Sequence, residues 1–517
     1  MSPSGQLTDL NFPFIHFSIK PALSFAAKKP TLHRLRKLHR VKPSTQNMHI
    51  VILGNGISGV TCARYLRKLS NHDITLVSDE SDEFFSRTAL MYIYMGHMRL
   101  RDTMPYEPWF WEKNRIQRVR ARIQHIDFQE KKLISKEGQT LVYDKLVLAL
   151  GSQSNKFGWP GQDLDGVHGL YHLQDLEAME RHSAQLSGGK ETDRAIIVGG
   201  GLIGIEMAEM FHSRKIPVTF LVREKAFWNN ILPAEEAAMV TRHIQEQHID
   251  LRLETELQTI LPTPTLQGGQ GEVCAAVVTN KGETIPCGFV GLTVGVSPNI
   301  GFLKNTTLET NKGILVNQYL QTNQPDVFAI GDCAELREPQ NGRRSIEAIW
   351  YTGRMMGETA AYNLVADDNR HSFPTLVGII RHSYTPGIWF NSAKFFDIEY
   401  QVYGDIRPQR AENQSTVYWE HPDGKKSIRI NFEAESGKVI GFNLMGVRYR
   451  HEVCEKWIQE GAPIETVLQH LGLANFDPEF SKQYEAELVA IYNRQTGKNL
   501  SLQQKRGLNA VLAFLTH

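Results

Sequence analysis

Two glycine triplets carry the clearest chemistry in this chain. Gly54, Gly56 and Gly59 lie in GNGISG, and Gly199, Gly201 and Gly204 lie in GGGLIG, about 145 residues further on. This spacing suits a pyrophosphate. The first glycine permits a tight turn, the second lets the phosphates approach the backbone, and the third lets the following helix pack on the preceding strand. The helix N-terminus, here with Ser58 and Ile203 in its first turn, adds free N–H groups and a positive dipole end. One such match alone is compatible with a surface turn. Two, each with a strand before and a helix after, imply two nucleotide cofactors, one per site.

Carboxylates at the expected distance extend both patterns. The strand DITLV ends about 20 residues after the first triplet in Ser78, Asp79 and Glu80, where an acid usually holds ribose hydroxyls. The corresponding strand PVTFLV is followed by Val222, Arg223 and Glu224. Val222 cannot bind a hydroxyl. Arg223 would meet a 2′-phosphate, whereas Glu224 would hold the 2′-hydroxyl of NAD and repel that phosphate, so NADH is favoured over NADPH.

The elements that must position these groups follow from local pattern. HIVIL and RAIIV are short runs rich in β-branched residues, suited to buried strands, and VTCARYLRKL and IEMAEMF continue as helices. YDKLVLALGS (143–152) is a buried strand running into a small-residue turn, and FGWPGQDLDG (157–166) is a Gly/Pro-rich linker. LQDLEAMERH is a helix leading into the second unit, and LQGGQGE (266–272) is a hairpin-like loop within it. After residue 372, aromatic-rich alternation predicts an antiparallel sheet to about residue 450, and the remainder from HEVCEKWI reads as mostly helical.

Composition narrows the classes of function. Lys+Arg 57 against Asp+Glu 56 leaves a net charge of +1, which does not point to nucleic acid. No apolar run reaches the roughly 18 residues of a membrane span. The five cysteines are widely spaced and form no CxxC or CxxxxC, so neither a dithiol centre nor an iron–sulfur set is visible; no metal site and a cytoplasmic location are expected. Residues 1–47 hold eight Lys/Arg and one acid and read as a disordered basic extension, with an organelle transit peptide as the alternative.

In order, GNGISG, YDKLVLALGS, GGGLIGIE, LTVGVSPN and VFAIGDCAE resemble the FAD-dependent pyridine nucleotide oxidoreductases with two dinucleotide-binding domains. The resemblance implies an α/β fold in which a Rossmann-like NAD(P) domain (161–291) is inserted in a Rossmann-like FAD domain (48–160 and 292–372). A C-terminal α+β interface domain would follow, with a sheet at 373–450, a helical segment at 451–517 and a homodimer as one possibility. It implies FAD held by Gly54, Gly56, Ser58, Gly59, Asp79 or Glu80, Ala149, Gly151, Gly331 and Asp332. NAD(P)H would be held by Gly199, Gly201, Ile203, Gly204, Glu206, Arg223, Glu224 and Gly295. A helix N-cap is the plain alternative for Asp332, a core aromatic for Trp350 and a surface arginine for Arg87.

The stretch FFSRTALMYIYMG (84–96) separates the branches. It lacks the cysteines of disulfide reductases and resembles the Y-x-R-x-x-L segment of ferredoxin and rubredoxin reductases, nitrite reductase flavin parts and apoptosis-inducing-factor-like proteins. Arg87, Glu206 and Trp350 are then the candidates beside the flavin ring. Many members carry a lysine where this chain has Tyr92, while the partner Glu206 is kept. The implied function is hydride transfer from NAD(P)H to FAD, with electrons passing to an acceptor such as a small redox protein or quinone-like molecule. Alternatives are a thiol-independent oxidase, a membrane-surface quinone dehydrogenase anchored by its C-terminal helices, and an NADH-responsive binding or signalling protein.

Overall fold

The computed structural model describes residues 47–186, 189–263, 272–340, 342–372 and 381–503. The basic extension, most of the LQGGQGE loop and the C-terminal LNAVLAFLTH lie outside the described residues.

The strand before the first glycine triplet, His49–Leu53, is the centre of a five-stranded parallel sheet. Its order is Val327–Ala329, Lys145–Leu148, His49–Leu53, Asp73–Ser78, Ile116–Arg120. Strands covered on both faces read as unbroken apolar runs, and Ile50, Val51, Ile52, Leu146, Val147 and Leu148 are all fully shielded. The helix Ile57–Leu69 covers one face and packs along Trp350–Ser372. The two helices approach closely because Gly357 faces Ser58; a Cβ there would collide with the Ser58 carbonyl.

The second triplet repeats the plan. Ala195–Val198 is central in a parallel sheet ordered Asp250–Arg252, Val218–Leu221, Ala195–Val198, Phe289–Leu292, Val167–His168. The segments that leave and re-enter the first unit lie side by side, Ser152–Ser154 antiparallel to Val296–Pro298. The strand Val327–Ala329 then rejoins the first sheet beside Lys145–Leu148. The second Rossmann-like unit is therefore inserted in the first. Two three-stranded antiparallel sheets, Ile123–Asp127 with Lys132–Ser135 and Thr140–Val142, and Leu257–Pro262 with Cys274–Thr279 and Thr284–Pro286, complete the pair.

The third sheet is antiparallel, ordered Phe390–Phe395, Ile398–Gly404, Val439–Met445, Ser427–Glu433, Gln414–Glu420. Alternation along Ser427–Glu433 sends Ile428 and Ile430 into a core with Trp457 and Leu488, from the helices His451–Gln459 and Glu485–Thr496. Arg429 points the other way, to the helix Ala234–Glu246 of the second unit. It donates to Glu236 at 2.7 and 2.8 Å and to Glu235 at 2.8 Å. Asn443 adds a bond to Glu236 at 3.0 Å. Both faces of this sheet are thus covered within the chain. No described helix is long and apolar enough to cross a membrane.

Candidate functional site

A cavity of about 850 Å³ opens at the C-terminal ends of the first parallel sheet. It is lined by Gly54, Gly56, Ser58, Asp79, Glu80, Arg87, Ala149, Gly151, Asp332 and Trp350 from the first unit, and by Ile203 and Glu206 from the second. Its volume lies in the upper part of the roughly 300–1,000 Å³ typical of ligand sites. Gly59 and Gly331 lie just behind this wall, where a Cβ on either would collide with the Gly54 carbonyl or the Ser58 hydroxyl.

The two outer glycines and the middle one of each triplet differ in kind. Gly54 has φ +119°, and a Cβ on it would collide with the Ala149 carbonyl. A Cβ on Gly56, by contrast, meets no atom within 4 Å, because it points into the cavity. Gly56 is also the N-cap of Ile57–Leu69, with no side chain bonded to the helix start, and the first intrahelical donor is Val60 N–H. The N–H groups of Ile57, Ser58 and Gly59 therefore end the helix without an intrahelical acceptor, the arrangement that suits an anion. Gly199, Gly201 and Gly204 repeat it: φ is +113° at Gly199, Gly201 is open, and Gly204 packs against Gly199 and Thr293.

One of the two acids after Asp73–Ser78 is already committed. Glu80 receives both guanidinium nitrogens of Arg87, at 2.8 and 2.5 Å, and the Leu173 N–H at 2.9 Å. Burial alone would push its carboxyl up, but the His172 and Arg87 hydrogen bonds outweigh this and hold it down at about 2. Glu80 is thus held by Arg87 and the Leu173 N–H at the cavity wall, whereas Asp79 lies exposed at the rim, 4.0 Å from Arg122. Arg87 is also no loose surface residue. It donates to the Tyr171 carbonyl and lies 4.5 Å above the Tyr171 ring.

Tyr171 links this pair to Asp332. Its hydroxyl donates to Asp332 Oδ2 at 3.0 Å and accepts from the Ser152 N–H at 2.8 Å, while Ser152 Oγ donates to the same carboxylate at 3.1 Å. The tyrosine reaches this place because Gly151, at φ +65°, has no Cβ; one would lie 2.8 Å from the hydroxyl. Burial pushes the Asp332 carboxyl up, against the Tyr171 and Ser152 hydrogen bonds. Tyr171 and Ser152 went unnoticed in the sequence, where no spacing marks a tyrosine just before a helix.

Glu206, from the helix Leu202–Ser213, closes the far wall. Burial, and then the charge of Glu209, push its carboxyl up from 4.5 to about 8. Tyr92 lies within electrostatic range of Glu206, Glu209 and Glu399 and offers them no positive charge. Glu209 itself accepts from the Phe396 N–H at 2.7 Å.

The remaining candidates are placed as follows. Trp350 opens the helix Trp350–Ser372 at the cavity wall, stacked edge-on to Tyr351 at 5.3 Å. Arg223 and Glu224 bond to each other at 3.0 Å at the mouth of the second fingerprint, beside a fully buried Val222. Gly295, at φ +89°, sits at the crossing between units, where its carbonyl accepts from Asn155 N–H at 3.0 Å. All five cysteines are buried, and none lines the cavity.

A family model described as pyridine nucleotide-disulphide oxidoreductase matches residues 48–357. The chain belongs to the pyridine nucleotide-disulphide oxidoreductase family. It is 25% identical over 294 residues to the assimilatory nitrate reductase electron transfer subunit of Bacillus subtilis (strain 168), covering 56% of this chain and 36% of that protein. A rubredoxin-NAD(+) reductase of Acinetobacter baylyi is 29% identical over 298 residues, covering 56% of this chain and 73% of that one. The chain spans about a third of the length of the two Bacillus nitrate and nitrite reductase proteins that it matches. In fold it resembles an NAD-dependent persulfide reductase from A. fulgidus, with a TM-score of 0.72 and 22% identity over 87% of this chain and 84% of that one. Within this family the chain is a member without the paired cysteines that its name denotes.

Proposed function

We propose that this chain is a flavoprotein oxidoreductase that takes electrons from NAD(P)H, NADH favoured, through FAD to a small redox protein. The observation that supports this most is the shared cavity: the first glycine triplet, Asp79 and Asp332 line it on one side, and Ile203 and Glu206 of the second fingerprint helix close it on the other. The residues fit FAD. Gly56 leaves open space at a helix start, and Asp332 turns a buried carboxylate into the cavity.

When bound, the flavin would accept a hydride at its ring and release electrons singly or in pairs. The rest falls to the chain's own groups. The Ile57–Gly59 N–H groups would hold the pyrophosphate, and Asp79 would hold the adenosine ribose. Asp332 would accept hydrogen bonds from the polyol chain, with Tyr171 and Ser152 fixing its orientation. Arg87, neutralised by Glu80, would act mainly as a positioning residue for Tyr171. Trp350 and Ile349 would exclude water, and protonated Glu206 would spare the nicotinamide side a negative charge.

A second reading, thiol-independent oxidation of NADH by dioxygen, is favoured by one observation. An NADH oxidase of Methanocaldococcus jannaschii is 26% identical along 77% of this chain and 88% of its own length. Oxygen uptake during NADH oxidation, compared with reduction of rubredoxin or a one-electron dye, separates the two. Turnover with the carrier far above oxygen uptake supports the first, and oxygen uptake that carrier does not outcompete supports the second.

A further inference from the structure

Away from the dinucleotide cavity, three side chains converge at the edge of the second parallel sheet. His168 ends the edge strand Val167–His168, Asp165 precedes it, and His182 lies in the last turn of the helix Leu173–Ser183. One ligand atom from each lies within 4.8 Å of the other two. Topology brings them together. The edge strand pairs with Phe289–Leu292, and the rings of His168 and His182 lie 5.6 Å apart, both against Phe289. Gly166, at φ +86°, makes the bend that turns Asp165 and His168 to one side.

The hydrogen bonding of this cluster is incomplete. His182 Nε2 lies 3.0 Å from Asp165 Oδ1, but the buried His168 Nε2 has no hydrogen-bond partner among the described residues. We propose that Asp165, His168 and His182 form a divalent transition-metal site, for Zn²⁺ by its donor set, with water in the fourth position. The two imidazoles are borderline ligands that favour zinc over calcium or magnesium, and the carboxylate completes a common zinc donor set. Bonds of about 2.0–2.2 Å place tetrahedral ligand atoms roughly 3.4 Å apart, so small side-chain rotations close the set. Asp165 is 52% exposed and provides the entry path from solvent. Of the other charged groups that act on His168, Asp175 favours a cation and Arg181 opposes it, though Asp175 is committed to the N–H groups of Tyr171 and His172 at 2.8 Å each. The ion would pin both ends of the segment that carries Tyr171 into the cavity. The spacing, Asp-x2-His-x13-His, matches no short metal motif, which is why the sequence led to the expectation of none.

The test is a Zn²⁺ titration of the full chain without any affinity tag, by competition with a chromophoric chelator, and a Co²⁺ titration read by its visible absorption. Wild type should bind one equivalent of each, with the intense bands of a tetrahedral Co²⁺ site. Asp165→Asn retains a hydrogen-bond acceptor for His182 at a half-exposed position, and His168→Ala removes a ligand. Both should weaken Zn²⁺ at least tenfold and abolish the Co²⁺ bands, while bound flavin content reports that each variant is folded. Absence of a saturable equivalent in wild type, or unchanged binding in both folded variants, would overturn the proposal.

Discussion

Replacing Tyr92 by lysine should shift a titration that belongs to Glu206. Among the described residues no cation pairs with the Glu206 carboxyl, and burial with the Glu209 charge raises it from 4.5 to about 8. Tyr92 lies in the electrostatic field of both glutamates and of Glu399. A positive charge within about 4–6 Å lowers a carboxyl by roughly 1–3 pK units, so Glu206 should titrate at about 5–7 in Tyr92→Lys. The assay is the pH profile of kcat/KM for NADH with a soluble dye, for wild type, Tyr92→Lys and Glu206→Gln. Wild type should show an inflection near 8, Tyr92→Lys a lower one, and Glu206→Gln none. Stability gives an independent sign. Because folding raises this pKa, the folded state disfavours the ionised form: the penalty is absent below 4.5, grows as pH rises to about 8, and is constant above. At about 1.36 kcal/mol per pH unit it is bounded at roughly 5 kcal/mol. The Tm of Glu206→Gln should therefore gain on wild type as pH rises across that interval. Superimposable pH profiles for wild type and Glu206→Gln, or a Tm difference that shrinks with rising pH, would refute the reasoning.

Gly54 and Gly56, two residues apart, should fail differently when substituted. Gly56→Val projects into open cavity at an ordinary φ of −69° and should fold with near-native Tm but hold little FAD, whereas Gly54→Ala, at φ +119° against the Ala149 carbonyl, should lower Tm with or without flavin. Arg429→Ala leaves the fully buried Glu236 without its partner and should destabilise by about 3–5 kcal/mol, while Arg429→Met with Glu236→Met should recover most of the loss in thermal unfolding. Glu224→Ala should weaken NADH relative to NADPH by about 10- to 100-fold in kcat/KM, the worth of a charge-assisted hydrogen bond at roughly 1.5–3 kcal/mol; a wild type that already prefers NADPH tenfold contradicts the assignment.

What was legible in the sequence is what depends on neighbours along the chain. HIVIL and RAIIV read as buried strands because their runs are apolar on both faces, and each triplet fixes its own turn and helix start; the structure pairs both in parallel. The inserted topology was implied by the family resemblance that the ordered motifs carry. The role of Glu80 was not, because it is set by Arg87 and by a helix N-terminus 93 residues away. Asp79 and Glu80 are chemically alike, and only the fold separates them. The sheet Ile123–Asp127 with its two partners leaves no clear strand pattern, since its short strands carry charged residues on the open face. Tyr171 acquires its place from the glycine conformation at Gly151 and the distant Asp332, neither of which leaves a local pattern.

One cavity should bring two dinucleotides together, and anaerobic titration of the purified chain with NADH tests this. The chain should hold about one FAD, bleached by about one equivalent of NADH, with Gly56→Val folded but colourless. A folded chain that takes up no FAD, or a bound flavin that stays oxidised in excess NADH and NADPH, would contradict it.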